Sequence, residues 1–199
     1  NYTGDKKYLA EYGLDVLIGI ARFWAQRVNW STYHEKYVML GVTGPNEFEN
    51  NVNNNWYTNY LANWCMRYCI ESLNYVKENH ADRYKEILSK ADFVEAETEK
   101  WQHIIENMYY PTHPTQEGVV LQQDGFLDKE LIPVSDLPAS ERPIVEHWSW
   151  DRILRSVYIK QGDVLQGMYF LEHEFETDTI RKNFDFYEPK TVHESSLSP

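Results

Sequence analysis

Basic residues are scarce in this 199-residue chain, and so are long apolar runs. Its 19 Lys and Arg residues stand against 31 Asp and Glu residues, and the net charge of -12 argues against a surface that attracts nucleic acid or anionic lipid. No run approaches the ~18 apolar residues of a membrane-spanning helix. We therefore expect neither nucleic acid nor a membrane as a partner, and a phosphorylated substrate would need a local binding site.

The short motifs of the commonest cofactor-dependent enzymes are also missing. The sequence has no glycine-rich phosphate loop, no dinucleotide-binding fingerprint, no nucleophile elbow and no zinc-ligand spacing. Its two cysteines, Cys65 and Cys69, lie four residues apart in a predicted helix, where they are not oriented for a relaxed disulfide. Buried thiols are the favoured interpretation, with metal or redox chemistry as the minor alternative.

Residues Asn1–Gly4 lack the basic and apolar regions of a signal peptide. Two unpaired thiols suit a reducing compartment. Together these features predict a cytoplasmic protein.

Apolar residues recur at threes and fours along much of the chain, which predicts an all-α fold with small β insertions. A short apolar run at Tyr37–Val42 predicts a strand, and five prolines between Tyr110 and Pro143 predict a long structured excursion. The helical patterns cover residues 5–28, 56–79, about 91–108, 148–158, 164–175 and 179–187.

Aromatic residues and asparagine are abundant. The chain has 7 Trp and 15 Tyr, and eight of its 14 Asn residues fall between Asn46 and Asn63. Sites for neutral sugars combine aromatic platforms with amide, carboxyl and ammonium groups that bind hydroxyls. Most of the aromatic residues are nevertheless expected in the hydrophobic core, so composition alone favours a sugar site without proving one.

Glu47 is the first candidate for a catalytic residue. It follows Gly44-Pro45-Asn46, a rigid loop that ends an extended segment and would hold a carboxyl group in a fixed place. The alternative is an ordinary solvated loop glutamate or a negative charge at the start of a helix.

Two further segments carry candidate binding residues. The segment His193–Ser198 offers an imidazole, hydroxyl groups and backbone N–H groups that could bind an anion, although an ordinary helix N-cap is the alternative. Lys160 and Gln161 lie between two helical patterns, and Lys160 taken alone would be a solvated cation at a helix end.

Three segments resemble motifs of one family, the glycoside hydrolases that include the inverting phosphorylases of maltose, trehalose and kojibiose. Residues 41–58, GVTGPNEFENNVNNNWYT, resemble the family's general-acid segment. Residues 160–165, KQGDVL, resemble its lysine–glutamine segment, and residues 191–198, TVHESSLS, resemble its phosphate-site segment. The resemblance covers essentially the whole chain. Phe48 and Gly162 are mild departures, since the family often has Tyr and Ala there.

The resemblance implies a role for each candidate residue. Glu47 would donate a proton to the glycosidic oxygen, with a pKa raised toward neutrality by partial burial. Lys160 and Gln161 would hold the transferred glucose. Ser195 and Ser196, with His193 as a further candidate, would bind phosphate. The family's upstream Trp-Asp segment and its acceptor-selecting loop are not among these residues.

The resemblance also implies a fold and an assembly. Residues 1–199 would form the central part of a catalytic (α/α)6 barrel, so the fold class is all-α, a partial (α/α)6 barrel with small β insertions. A longer chain would carry β-rich domains on both sides and form a homodimer. Because a partial ring of helices would expose apolar residues such as Leu17, Ile20 and Trp24, we expect residues 1–199 alone to be neither active nor well folded.

The resemblance implies reversible inverting phosphorolysis of maltose to β-glucose 1-phosphate and glucose. Since phosphate is already an anionic nucleophile, such an enzyme needs one acid and an anion site, but no second carboxylate, metal or cofactor. Phosphate is then a co-substrate. The alternatives are a phosphorylase of trehalose, kojibiose or nigerose, a trehalase-like hydrolase, or a non-catalytic carbohydrate-binding helical module, which would not need Glu47 or the two serines.

Overall fold

The computed structural model describes residues 4–196, which form two compact units. The first unit contains residues up to Val38 together with Leu61–Tyr109, and the second contains Met39–Tyr60 together with the residues from Tyr110 onward. The first unit is built mainly from helices, as predicted, whereas the second unit combines shorter helices with long loops and 3-10 turns. In the described range, no helix is both long and apolar enough to cross a membrane.

The first unit begins with the predicted long helix. It consists of α1 (Lys6–Tyr8), one π-helical turn (Leu9–Gly13) and α2 (Leu14–Arg27) in direct succession. The face that α2 buries carries residues at spacings of three and four: Leu14, Ile18, Ala21 and Ala25. Three aromatic or branched residues of the predicted apolar pattern lie instead on the exposed side: Tyr12, Val16 and Phe23.

A hairpin and three helices complete the first unit. Strand β1 (Asn29–Ser31) pairs antiparallel with β2 (Lys36–Val38), with Trp30 opposite Tyr37. The helix predicted at Trp56–Asn79 is confirmed as α3, which starts in the second unit and contributes most of its length to the first. Helices α4 (Ala81–Ala91) and α5 (Ala96–Glu106) follow.

The helix predicted at about residues 91–108 is observed as α5, but its predicted start near Ala91 is wrong, because Ala91 ends α4 and α5 begins at Ala96. Asp92 adopts the left-handed conformation (φ 47°), and its N–H donates to the carbonyls of Leu88 and Ser89. Helix α4 was not predicted from the sequence because only one of its residues, Ile87, is buried. A helix with so small a buried face has almost no apolar periodicity.

The first unit also contains both cysteines, which are free thiols. Cys69 is buried and Cys65 is half-buried. Burial raises the pKa of the Cys69 thiol to about 12. The prediction of free thiols is therefore confirmed for both cysteines, and the prediction of burial is confirmed for Cys69.

The second unit consists of an asparagine-rich loop, the predicted excursion and the last helices. The excursion contains short 3-10 turns and an antiparallel bridge between Thr112 and Val120. Helices α6 (Ile144–His147) and α7 (Trp150–Arg155) follow it. The last two predicted helices are observed as α8 (Asp163–Phe170) and α9 (Thr177–Tyr187).

The second unit has a hydrophobic core to which the asparagine-rich loop contributes Phe48. It contains large side chains from every part of the unit, including Phe48, Trp56, Phe126, Ile159 and Tyr187. Trp56 stacks on Tyr60 with ring centroids 4.8 Å apart. These buried rings agree with the expectation that most aromatic residues serve the core.

Candidate active site

The loop that carries Glu47 is closed at its base and shaped by asparagines. Val42 and Val52 exchange two backbone hydrogen bonds of 2.8 Å, so residues 43–51 form a closed excursion. Asn51 and Asn54 have φ values of 51° and 52°, a conformation that asparagine tolerates better than most residues. These local roles explain why asparagine is concentrated here despite its poor helix propensity.

The last asparagine of the loop begins α3. Oδ1 of Asn55 accepts hydrogen bonds from the N–H of Thr58 at 3.0 Å and from its hydroxyl at 2.8 Å, which makes Asn55 the N-cap. Nδ2 of Asn55 donates to Oδ2 of Asp163 at 2.7 Å. One side chain thus connects the helix start to a buried carboxylate.

Asn46 links this carboxylate to the residues around Glu47. The N–H of Asn46 donates to Oδ1 of Asp163 at 2.5 Å. Its side-chain Oδ1 accepts from the N–H of Lys160 at 3.0 Å and from that of Phe48 at 3.3 Å. Asn46 and Asp163 are both buried, so this network lies beneath the surface of the loop.

The structure brings three of the predicted site residues together. The backbone N–H of Glu47 donates to Oε1 of Gln161 at 3.0 Å. The ammonium group of Lys160 forms an ion pair with Oε2 of Glu47. The Glu47 side chain is 57% exposed and that of Lys160 is 27% exposed, so both groups are accessible from solvent.

The expected rise in the pKa of Glu47 is not observed. The hydrogen bond from Lys160 lowers the pKa of Glu47, and Gln161 lowers it further. Burial, which was expected to raise it, is negligible at this exposed carboxylate. Without substrate, the structure therefore favours an ionised Glu47.

Asp163 is the carboxylate whose pKa is raised, and the sequence did not point to it. Burial raises its pKa to about 7, although the hydrogen bonds from Asn55 and Asn46 act in the opposite direction. Asp163 is the first residue of α8, a position where an acidic side chain usually serves as a solvated helix-start charge. Nothing in the sequence distinguishes it from such a residue.

The two residues that follow Glu47 anchor the loop. Phe48 is buried in the core, which explains how a side chain without a hydroxyl is accommodated here. Glu49 is also buried and forms an ion pair with Lys129. Glu47 thus projects from a loop whose neighbouring side chains are held inside the unit.

The predicted phosphate segment runs beside the lysine–glutamine segment. Ile159 and Thr191 form a parallel bridge, in which the N–H of Val192 donates to the carbonyl of Ile159 at 3.0 Å. Lys160 therefore follows Ile159 on one segment, while Val192 and His193 follow Thr191 on its neighbour. Two of the predicted site segments are thus adjacent.

Within this segment, His193 and Glu194 have defined surroundings. His193 adopts φ 52°, and its Nε2 lies 3.7 Å from a carboxylate oxygen of Glu188. Glu194 accepts from Nε of Arg142 and from the N–H of Ile144, each at 2.9 Å. Ser195 and Ser196 form a bend and a turn at the end of the described range. Leu197 and Ser198, the remainder of the predicted anion site, lie outside it.

The arrangement offers one exposed carboxyl beside an ammonium and an amide group. A carboxyl in this position can exchange a proton with a bound ligand, and its neighbours can bind sugar hydroxyls. Among residues 4–196, no cluster of three or more His, Cys, Asp or Glu side chains has the arrangement of a metal site.

Comparison with known proteins gives consistent matches over the whole chain. Residues 1–199 match the model of the "Glycosyl hydrolase family 65 central catalytic domain". Maltose phosphorylase of Bacillus subtilis (strain 168) is 51% identical over 199 residues, which are 100% of this chain and 25% of that protein. Kojibiose phosphorylase of Halothermothrix orenii is 36% identical over 197 residues, covering 99% of this chain and 25% of that protein.

A solved structure shows the same similarity. The "Putative kojibiose phosphorylase from human microbiome" superimposes with a TM-score of 0.85 at 34% identity, over 98% of this chain and 26% of that one. This likeness confirms the predicted fold class, a partial helical barrel with small β insertions. The chain spans about a quarter of the length of the curated relatives that it matches.

Proposed function

The chain belongs to glycosyl hydrolase family 65, and from this premise we propose that the protein catalyses reversible, inverting phosphorolysis of an α-linked glucose disaccharide. Maltose is the first choice of substrate, because a maltose phosphorylase is 51% identical to this chain while a kojibiose phosphorylase and a trehalose phosphorylase are each 36% identical. The products are β-glucose 1-phosphate and glucose.

The observation that carries the proposal is the meeting of Glu47 with Lys160 and Gln161. A proton donor for a glycosidic oxygen must lie close to the groups that hold the sugar. The loop of Glu47 and the segment of Lys160 are over a hundred residues apart in sequence, yet a backbone hydrogen bond and an ion pair join them. A solvated loop glutamate would not need such a connection.

In the proposed reaction, protonated Glu47 gives its proton to the glycosidic oxygen as the bond from that oxygen to the anomeric carbon breaks. An oxygen of phosphate attacks the anomeric carbon from the opposite face and forms the new bond, which inverts the configuration from α to β. The second glucose leaves with the proton from Glu47. Solvent or the next phosphate then returns a proton to the carboxylate.

The low pKa of Glu47 fits this reaction if Lys160 moves when sugar binds. In the structure, the ammonium group of Lys160 contacts Glu47 and stabilises the ionised form. When the ammonium group of Lys160 binds a hydroxyl of the transferred glucose instead of Glu47, the pKa of Glu47 rises and the carboxyl gains its proton. Substrate binding itself thus prepares the acid.

Several further parts belong to the proposal. Ser195 and Ser196, with His193, bind phosphate through hydroxyl and backbone N–H groups, and neither a metal nor an organic cofactor takes part. Residues 1–199 form the central part of a catalytic domain, with β-rich domains on both sides. The full-length protein is a cytoplasmic homodimer.

The test is a turnover assay with the full-length protein. Maltose, trehalose, kojibiose and nigerose are each supplied with and without phosphate, and the anomeric configuration of the sugar phosphate is read by NMR. We expect phosphate-dependent turnover of maltose to the β-anomer. Phosphate-independent release of glucose would identify a hydrolase, and sugar binding without any turnover would identify a non-catalytic module.

A further inference from the structure

A buried carboxylate lies directly behind the Glu47 loop. Asp163 is 1% exposed, and its two oxygens accept hydrogen bonds from different parts of the second unit. Oδ1 accepts from the backbone of Asn46 at 2.5 Å, and Oδ2 accepts from the side chain of Asn55 at 2.7 Å. The carboxylate therefore joins the residue before Glu47 to the N-cap of α3.

The loop backbone packs closely against this carboxylate. A Cβ atom added to Gly44 would lie 2.1 Å from Oδ2 of Asp163 and 2.5 Å from Nδ2 of Asn55. Such distances are far below any tolerated contact, so the loop can approach Asp163 this closely only because residue 44 is glycine.

The influence of Asp163 reaches Glu47 through Asn46. With its N–H bound to Asp163, Asn46 presents its side-chain oxygen to the N–H groups of Lys160 and Phe48. Both peptide neighbours of Glu47, Asn46 and Phe48, are therefore fixed. The backbone of Lys160, the ion-pair partner of Glu47, is held by the same oxygen.

A purely structural role would not require a charged group here. The two hydrogen bonds to Asp163 described above come from neutral amide groups, and burying a carboxylate without a cation beside it destabilises a fold. The carboxylate of Glu49 also acts on Asp163 and disfavours its ionised form, which raises its pKa further. The loop thus keeps a costly group at the point that determines where Glu47 lies, as strained functional sites often do.

We propose that Asp163 is a positioning residue, which acts through Asn46 to hold the Glu47 carboxyl where it can donate a proton to the glycosidic oxygen. This inference rests on the function proposed above. Asp163 itself touches neither the sugar nor the phosphate in this scheme.

The test compares two glucosyl donors in the full-length protein carrying Asp163→Asn. Maltose needs a proton on its leaving group, whereas α-glucosyl fluoride releases fluoride without one. Because small displacements of a catalytic group are costly, we expect kcat on maltose to fall ~10- to 100-fold. We expect the rate on the fluoride, and the KM values for maltose and phosphate, to change less than ~3-fold.

Asn183→Ala is the matched control. Asn183 is also a buried polar residue of the second unit, and its hydrogen bonds go to Gly118, Val120 and Thr179. Its loss should reduce the melting temperature but should affect both donors equally. An equal loss on both donors in Asp163→Asn would overturn the inference, and so would unchanged kinetics.

A second variant covers the case in which Asp163→Asn does not fold. Asn55→Ser removes the amide that donates to Asp163 but keeps an oxygen that can cap α3. This variant should also lose kcat on maltose selectively, by a smaller factor than Asp163→Asn. Equal effects on both donors would contradict the inference. If the unaltered protein shows no phosphate-dependent turnover, the proposed function fails and the inference fails with it. A failure in the variants alone overturns only the role of Asp163.

Discussion

The backbone N–H of Glu47 donates to the side-chain oxygen of Gln161 at 3.0 Å across 114 positions of sequence. One residue comes from the segment predicted to supply the acid, and the other comes from the segment predicted to hold the sugar. Because this bond uses the main chain of Glu47, it leaves the carboxylate to form the ion pair with Lys160. The hydrogen bond thus fixes the backbone of the predicted acid against the segment predicted to hold the sugar.

Replacing the proposed acid should have an effect that depends on the leaving group. We expect Glu47→Gln to reduce kcat/KM on maltose by ~10²- to 10⁴-fold, the usual contribution of a general acid. The loss on α-glucosyl fluoride should be much smaller, because fluoride leaves without a proton. Steady-state kinetics on both donors measure the difference, and equal losses would remove Glu47 from this role.

The double variant Ser195→Ala and Ser196→Ala should weaken the binding of phosphate more than the binding of sugar. Each lost hydroxyl removes a donor to an anion, and hydrogen bonds to charged groups contribute about 1.5–3 kcal/mol. We expect a phosphate KM raised at least ~10-fold with a maltose KM changed less than ~3-fold. Initial rates over a grid of both substrates give the two values, and a constant phosphate KM would favour the helix-cap interpretation.

Lys160→Ala should lower kcat/KM on maltose by ~10- to 150-fold, equivalent to about 1.5–3 kcal/mol for a charged hydrogen bond. The matched control is Lys182→Ala, since Lys182 forms a surface ion pair with Asp178 at 2.8 Å and lies outside the proposed site. The control should keep its kinetics. Unchanged kinetics in Lys160→Ala as well would make Lys160 an ordinary surface cation.

The same Lys160→Ala variant should shift the pH dependence. Lys160 is the main cause of the lowered pKa of Glu47 in the free protein, so its removal raises that pKa. A general acid works only when protonated, and kcat/KM declines as the pH passes above its pKa. We therefore expect the alkaline limb of the kcat/KM profile to move to higher pH. A shift to lower pH, or none, would show that Glu47 does not control this limb.

Asp163 should make stability depend on pH. Its pKa is raised from 3.8 to about 7, so between these values the folded state binds more protons than the unfolded state. The contribution of Asp163 to the free energy of unfolding is therefore fully present below the pKa of the unfolded state, and it is lost as the pH rises through the folded-state value of about 7. Asparagine does not titrate, so the Asp163→Asn variant should not lose stability in this way as the pH rises.

Denaturant midpoints of the unaltered protein and Asp163→Asn, compared between pH ~4.5 and ~7.5, should therefore diverge in favour of the variant as the pH rises. Asn183→Ala provides the reference, because it removes no titratable group and its offset should be independent of pH. A constant offset for Asp163→Asn would contradict the raised pKa.

Amphipathic helices were the most predictable part of the fold. Helix α3 has the predicted bounds, Trp56–Asn79, because its apolar residues recur regularly over many turns. Helix α4 was missed since it buries a single residue, and strand β1 (Asn29–Ser31) was missed because two of its three residues are exposed. Periodicity detects burial, so elements with little buried surface leave no signal.

The site shows a similar division. The proximity of Glu47 to Lys160 and Gln161 could be expected from motifs, since each segment resembles a known one. The protonation states of the site residues could not be predicted from the motifs, because they depend on contacts between segments that are distant in sequence. Lys160 reverses the expected shift of Glu47, and the raised pKa belongs to Asp163, whose burial is invisible in the sequence.

The close contact at Gly44 limits how this loop can be redesigned. Any other residue at position 44 would place its Cβ within 2.1 Å of Oδ2 of Asp163. A smaller residue at position 163 would release Asn46 and would still leave Nδ2 of Asn55 2.5 Å from that Cβ. Positions 44 and 163 therefore cannot be varied independently. A mutagenesis library aimed at new sugar acceptors should keep both fixed and place its diversity elsewhere.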